Sequence, residues 1–508
     1  MIRLHAHAAP PGFVDLWLGV SGVIGGVEPS WWVDGEPVHP QMLRPMEPVR
    51  VGEAAPAEGR SRTFTGGFRL KVVGSAEVQV RVKVGEDSAS LVTRPVPTEL
   101  PEDRWFNILL GSCFDRTMER APNLVNRVVQ HLCNDPDLRP DLSLFMGDQV
   151  YLDVPATDMI GRFGEPGLTG ITGQFEEDYR LNWFVHLADV LSAAPFVCVP
   201  DDHEFWNNYP TRVAWLPRTL SASGRAEWEA AAVRCYDTFQ RSVGLDDPAV
   251  INVGPLSIFV LDTRTWRRPD RDACATPEHL ERLRAWAKQV RENKQYGVFV
   301  TGQTLFKPAV NPVRGLLTDF ELANYGDYKA IMEALYQGAT PDRPLFCLTG
   351  DVHFGRVIQA SDRQGRPRMY EIISSPMSLC GDPRSAHQPW LSAFFQRFFG
   401  ELWIKDNRPW PRHPTPSAPA AVLPTSPDRS EQLQCVTRFT QRGNQIALLG
   451  FRAGKKAGEV QVRVGYVAVH PDERRWNPVW VGPFNPKHGI DVLGALGLFS
   501  SLAGNRVG

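Results

Sequence analysis

A short apolar run that stops at a glycine and a carboxylate, LSLFMGDQVY from Leu142 to Tyr151, constrains this chain more than any other stretch. Apolar residues of strand length leading into Gly147 and Asp148 describe a buried strand with a carboxylate at its C-terminal tip, where open α/β sheets bind ligands. Three later stretches repeat the plan: FVCVPDDHE (Phe196 to Glu204), LSIFVLDTR (Leu256 to Arg264) and LFCLTGDVH (Leu345 to His353). An earlier one, NILLGSC (Asn107 to Cys113), ends in a thiol. One Asp after one strand is a turn or a helix cap. A sheet that gathers Asp, His, Cys and Tyr at the same end reads as a metal site.

Asp148, Asp201, Asp202, Asp262 and Asp351 cannot share one site as bare carboxylates, because like charges resist joint ionisation. Cations remove that objection. Carboxylate, imidazole, amide oxygen, phenolate and thiolate together suit a hard or borderline transition metal, and iron, manganese and zinc all fit. Two metals bridged by one carboxylate would activate a water and neutralise a phosphate. Taken singly, Cys113 reads as a buried thiol, Tyr151 as a core aromatic and His203 as a satisfied polar residue; only the joint pattern reverses those readings. No GxxxxGK[ST], GxSxG or HExxH is present, since GVSGV at Gly19 lacks the final glycine, so nucleotide kinases, serine hydrolases and zincins have no support.

At 508 residues the chain exceeds one typical domain. Its 55 Lys and Arg against 57 Asp and Glu give a formal net charge of −2, without a basic tract for nucleic acid or a membrane surface. Eight cysteines form no CxxC pair and suggest no disulfide framework, and Cys198 and Cys347 sit inside strand runs as buried thiols. The N-terminus carries no signal-peptide pattern and no segment has the apolar length of a membrane span, so the expected location is cytoplasmic. His5 and His7, near a terminus expected to fray, receive little weight as metal ligands.

From Phe13 to about Val96 the sequence alternates strands and turns, which predicts a β-sandwich-like N-terminal domain over residues 1–100. PTELPEDR (97–104) reads as a linker, and an α/β region over residues 101–508 follows. Helices are expected at Asn123–Leu132, Glu227–Val243 and Pro277–Asn293, the last with Thr276 as N-cap. GRFGEPGLTGITGQ reads as a loop, a mobile lid or a plain surface excursion, followed by a helical segment with Tyr179, Trp183, Phe184 and Leu187. Residues 408–427 hold seven prolines, marking a Pro-rich loop over 408–432. CVTRFTQ, QIALLGF and EVQVRVGYVAV read as antiparallel strands completing a second sheet, and the apolar residues 490–502 as a segment docked on the body.

In order, GSC (Gly111 to Cys113), GDQVY (Gly147 to Tyr151), DDHEFWNN (Asp201 to Asn208), LDTR (Leu261 to Arg264), GDVH (Gly350 to His353) and ISSP (Ile373 to Pro376) resemble the PhoD-like metallophosphatases. The resemblance covers roughly residues 105–380. It implies a two-sheet metallophosphoesterase sandwich flanked by helices, an accessory all-β domain at the N-terminus, and hydrolysis of phosphomonoesters or phosphodiesters at a bimetal centre. It also implies residue roles. Cys113 and Tyr151 hold a first metal, Fe3+, with His353; the tyrosine follows the GDxxY motif of purple acid phosphatases. Asp148 bridges both metals. Asp202, Asp351 and an asparagine, Asn207 before Asn208, hold the second, which is Ca2+, Mg2+ or Mn2+. His203 meets the phosphate or protonates the leaving oxygen, and Asp201 acts behind the ligands. Where the broad superfamily has a further histidine, FVTGQTLF offers only Gln303, leaving the second site oxygen-rich. Arg264 and Arg356 either clamp a phosphate or form structural ion pairs.

The leading expectation is therefore a metal-dependent phosphatase or phosphodiesterase acting on a small phosphate ester, with catalytic groups His203, Asp202 and Arg264. A binding protein that kept the fold and lost turnover is the alternative. A nuclease is a third, disfavoured by the neutral charge.

Overall fold

The computed structural model describes residues 1–490 except 24–25, 50–61, 75, 154–166, 214–215, 308, 310–319, 380–419, 425–431 and 457. Most of the Pro-rich segment and nearly all of the C-terminal apolar stretch lie outside the described residues.

The five strands expected to end in polar residues form because each is apolar on both faces, and the alternation of side chains sends its residues into two different cores. Ile108 and Leu110 point into one core while Leu109, between them, points into another. The same split separates Ile258 and Val260 from Phe259, and Phe346 and Leu348 from Leu345 and Cys347. The shared core lies between a ten-stranded and an eight-stranded sheet. Helices Leu124–Cys133, Gly167–Leu181 and Ala222–Phe239 bring apolar residues to the outer side of the first sheet, and Pro277–Glu292 and Tyr328–Gly338 to that of the second. The fold is α/β.

The first sheet has a parallel centre, Phe106–Gly111, Leu142–Met146 and Phe196–Val199. The second has Leu256–Val260, Tyr296–Val300, Leu345–Thr349 and Pro367–Ile373 in parallel. Parallel strands expose their C-terminal tips on one side, so Cys113, Asp148 and Asp202 follow one sheet's tips, and Asp262, Gln303 and Asp351 follow the other's.

Local patterning misses several long-range pairings. The strand Ile2–His7 pairs with Phe196–Val199 through His7 and Phe196, and Phe13–Val23, Arg62–Lys71 and Gln41–Pro48 extend the same ten-stranded sheet. The segment before residue 100 therefore shares its main sheet with the α/β region. Its remaining strands form a four-stranded sheet whose Val80, Val82 and Leu91 pack with Leu16, Leu18 and Phe68. The C-terminal strands also divide: Gln432–Gln441 joins the eight-stranded sheet, whereas Gln445–Ala453 and Val460–Ala468 join the ten-stranded one.

Two helix starts differ from the sequence reading for identifiable reasons. Ser221 Oγ accepts from Gly224 N at 3.0 Å, so the helix expected from Glu227 begins at Ala222. Gly167–Leu181 is helical despite its glycines, because Ile171, Phe175 and Tyr179 recur at helical spacing and are all buried in one core. The Thr276 cap is present, with Oγ1 accepting from His279 N at 3.2 Å. Among the described residues no helix is long and apolar enough to cross a membrane.

His5 and His7 are not at a frayed end. Both are buried in the N-terminal strand: His5 is stacked on Trp17 with ring centroids 5.4 Å apart, and His7 accepts from Val243 N at 3.1 Å. Burial lowers each from 6.5 to about 3. A histidine depressed in the folded state contributes stability that is complete above its unfolded value and is lost as pH falls toward the folded one. Unfolding free energy should therefore drop by about 2 kcal/mol per histidine between pH 6.5 and 5. Chemical denaturation at those two pH values checks this, and the variant carrying both His5→Gln and His7→Gln should show the smaller drop.

Candidate metal centre

The side chains expected at the site arrive on loops whose backbone is held in an uncommon conformation. Cys113, Asp148, Asn208, Asp351 and His353 all have positive φ, between 55° and 69°, a region L residues occupy only when their surroundings impose it. Glycine makes the close approach possible. Gly147 has φ of 85°, and a Cβ on it would lie 2.4 Å from the Asp201 Cβ, so only glycine lets the two Asp-bearing loops touch.

Glu204 ties those loops together. Its carboxylate, fully buried, accepts from the backbone N–H of Asp148 at 2.8 Å, Gln149 at 2.7 Å and Asp201 at 2.8 Å, and from Gln240 Nε2 at 3.0 Å. On the other side, Cys113 N donates to Gly147 O and Phe114 N to Asp148 O. Ser375 Oγ donates to Cys113 Sγ at 3.1 Å, so the ISSP turn closes over the thiol.

Within this frame the donors converge on Asp148. Cys113 Sγ lies 3.4 Å and Tyr151 Oη 3.3 Å from the same oxygen, Oδ2. Cys113, Asp148 and His353 place one ligand atom each within 4.8 Å of one another, and so do Asp148, Asp202 and His203. Asp148 belongs to both groups. Asp351 is adjacent, its Oδ2 accepting from Gln303 Nε2 at 3.4 Å.

Two residues absent from the expected list, Asp153 and Glu204, complete the site, and Asp153 is the one against His203. Asp153 Oδ1 lies 2.7 Å from His203 Nδ1, and its Oδ2 accepts from Asn207 N at 2.6 Å. The signal was a second acid five residues after Asp148, outside the GDQVY motif. The Tyr151 ring lies over the His203 ring with centroids 4.2 Å apart. Glu204 was visible within DDHE, but a buried backbone acceptor leaves no mark on sequence pattern.

The two arginines are placed differently. Arg264 is fully buried; its Nε donates to Asp201 Oδ1 at 2.6 Å and its Nη1 to Tyr209 O at 3.1 Å. Of the two alternatives the sequence left open, these contacts are those of a structural ion pair. Arg356 lies 3.5 Å from Glu371 Oε2, while its Nε and Nη2 make no hydrogen bond. The asparagines differ too. Both amide atoms of Asn208 are buried without a hydrogen-bond partner and its N donates to Asp202 Oδ2, whereas in Asn207 only Oδ1 is buried without one.

Burial and like charge set the electrostatics of the site. Burial pushes Asp148 well above the carboxylate range, and Asp202, Glu204 and Asp351 add to it against the opposing effect of His203. Burial and the Asp148 charge raise the Cys113 thiol; burial and Cys113 raise the Tyr151 phenol. His203 is held well above its ordinary value: burial opposes its charge, but Asp153, Asp202 and Asp148 outweigh it. Buried acids pushed toward their neutral form, beside orphaned carboxamide oxygens, fit bound cations.

A scan against protein families matches the PhoD-like phosphatase model over residues 112–398, which is 287 of 508 residues. Among solved structures, "Structure of PhoD" aligns over 98% of this chain and 95% of that one, with a TM-score of 0.55 at 13% identity. An amylomaltase from Corynebacterium glutamicum aligns over 80% of this chain and 67% of its own, at 10% identity and a TM-score of 0.13, too low to carry any argument. A search of curated proteins finds no match. A family model that matches more than half of the sequence, and a fold shared over nearly the whole length, lead to one conclusion: the chain belongs to the PhoD-like phosphatase family.

Proposed function

We propose that this phosphatase hydrolyses small phosphate esters, mono- or diesters, with two cations sharing the Asp148 carboxylate. The membership of Asp148 in both ligand groups supports this reading more than any other observation. Cys113, Tyr151 and His353 would hold the first cation, Fe3+. Asp202, Asp351 and an asparagine would hold the second, Ca2+, Mg2+ or Mn2+; the hydrogen bond from Asn208 N to Asp202 Oδ2, together with its unpartnered Oδ1, favours Asn208 over Asn207. Cations held there would supply charge neutralisation for the phosphate and a water acidic enough to attack it.

The remaining chemistry belongs to the chain itself. A carboxylate only accepts, so Asp153 keeps a proton on His203 Nδ1 and leaves Nε2 to deliver a proton to the departing ester oxygen. Asp153 is thus a positioning residue. Arg264 holds Asp201 and through it the loop that carries Asp202. Arg356, three residues after His353 and ion-paired with Glu371 through Nη2, is the guanidinium we assign to the phosphate. The net charge of −2 argues against a polyanionic nucleic-acid substrate.

Asp148→Asn should remove both cations and abolish hydrolysis, because a neutral amide does not bridge two cations as a carboxylate does. Elemental analysis and a chromogenic phosphate-ester assay check it; full occupancy with near-normal turnover contradicts it. His203→Ala should keep its metal and lose about two to four orders of magnitude in turnover. Asp153→Asn should lose less and move the alkaline limb of the pH profile to lower pH, because His203 gives up its proton more readily without that carboxylate. Metal loss in the His203 variant would make that histidine a ligand instead.

Tyr151 and Cys113 on one ferric ion predict a coloured protein, since phenolate-to-iron charge transfer absorbs visible light. Tyr151→Phe keeps the ring that lies over His203 and removes only the hydroxyl, so it should bleach or shift the band with the fold unchanged. A colourless, active wild-type protein that contains only zinc or manganese would remove the iron assignment.

A further inference from the structure

Gln303 follows the strand Tyr296–Val300 on the same tip as Asp351, and none of the roles above uses it. It is fully buried between two partners: Arg267 Nη2 donates to its Oε1, and its Nε2 donates to Asp351 Oδ2 at 3.4 Å. Both neighbours dictate the same orientation of the carboxamide. A guanidinium has donors and no acceptor, so only the amide oxygen can face Arg267. The nitrogen then faces Asp351, whose carboxylate accepts. With its oxygen accepting from Arg267 and its nitrogen turned to Asp351, Gln303 meets that carboxylate as a donor.

Arg267 is itself immobilised. It is 4% exposed, its Nε donates to Thr263 O at 2.9 Å and its Nη1 to Phe320 O at 3.4 Å, and its guanidinium sits 4.4 Å over the Tyr325 ring. A fixed donor thus holds a fixed amide. The amide in turn restrains a carboxylate that is only partly buried.

We propose that Arg267 and Gln303 are positioning residues: Arg267 sets the Gln303 carboxamide, and Gln303, as a hydrogen-bond donor and not a ligand, holds Asp351 in place for the second cation. The inference rests on the two-cation reading above. It makes a prediction opposite in sign to simple electrostatics. A buried positive charge near a cation site repels the ion, so removing Arg267 should tighten cation binding if charge alone matters. If Arg267 acts through Gln303, removing it should weaken binding.

The test is calorimetric titration of Mn2+ into metal-stripped full-length protein. Arg267→Met and Gln303→Leu should each weaken the affinity by about 10-fold, the scale of losses seen when an outer partner of a ligand is removed. The double variant should be no weaker than either single one, and Arg267→Lys, which keeps a donor, should stay close to wild type. Should Arg267→Met fail to fold, Gln303→Leu and its combination with Arg267→Lys carry the comparison: Gln303→Leu must still weaken binding, and Arg267→Lys must add nothing to it. Tighter or unchanged Mn2+ binding in Arg267→Met, unchanged binding in Gln303→Leu, or additive losses in the double variants overturn the proposal. A wild-type protein that binds no Mn2+, Mg2+ or Ca2+ overturns the two-cation reading together with it, whereas normal wild-type binding with any of those variant results overturns this inference alone.

Discussion

A carboxylate buried among other carboxylates survives ionised only beside positive charge, and Asp148 is where this protein meets that constraint. Its Oδ2 is shared by the thiol of Cys113 and the phenol of Tyr151, its Oδ1 lies 3.3 Å from the backbone N of His203, and its fully buried position raises the cost of its charge. The His203 imidazole opposes part of that effect, but Asp202, Glu204 and Asp351 add to it. Hydrogen bonds between acids can satisfy such a cluster at low pH. At neutral pH bound cations would relieve that repulsion, which is the basis of the two-cation reading.

The rest of the fold holds that expensive arrangement in place. Strand tips from two sheets aim at one region, and tight turns with positive φ swing Cys113, Asp148, Asp351 and His353 inward. Such turns cost on the order of 1–3 kcal/mol each and persist only when their surroundings over-determine them. Here the surroundings are specific: Glu204 gathers three backbone N–H groups from two loops, Gly147 removes the Cβ that would collide with Asp201, and Arg264 holds Asp201 from the far side.

The strand tips were legible in sequence because their signal is local. Apolar runs, a glycine and a polar residue sit within ten positions of one another, and the order of the motifs carried the family. What failed to show was whatever depends on distant partners. The pairing of His7 with Phe196 puts the N-terminal strand at the heart of the large sheet and buries two histidines that looked terminal. The same holds for Gln445–Ala453, which pairs with Phe106–Gly111 across more than three hundred residues. Asp153 and Glu204 were in plain view within or beside motifs, yet their roles lie in what they accept from other loops. Gln303 stood out only as a missing histidine; its orientation follows from Arg267, which periodicity could not connect to it.

The most direct test of two cations on one carboxylate is to locate the metals themselves. Anomalous diffraction from crystals of protein purified without added metal, paired with elemental analysis of the same sample, counts and identifies the ions. The account predicts two metal ions per chain, both within bonding distance of the Asp148 carboxylate. A single ion, or two ions that do not share Asp148, would contradict it.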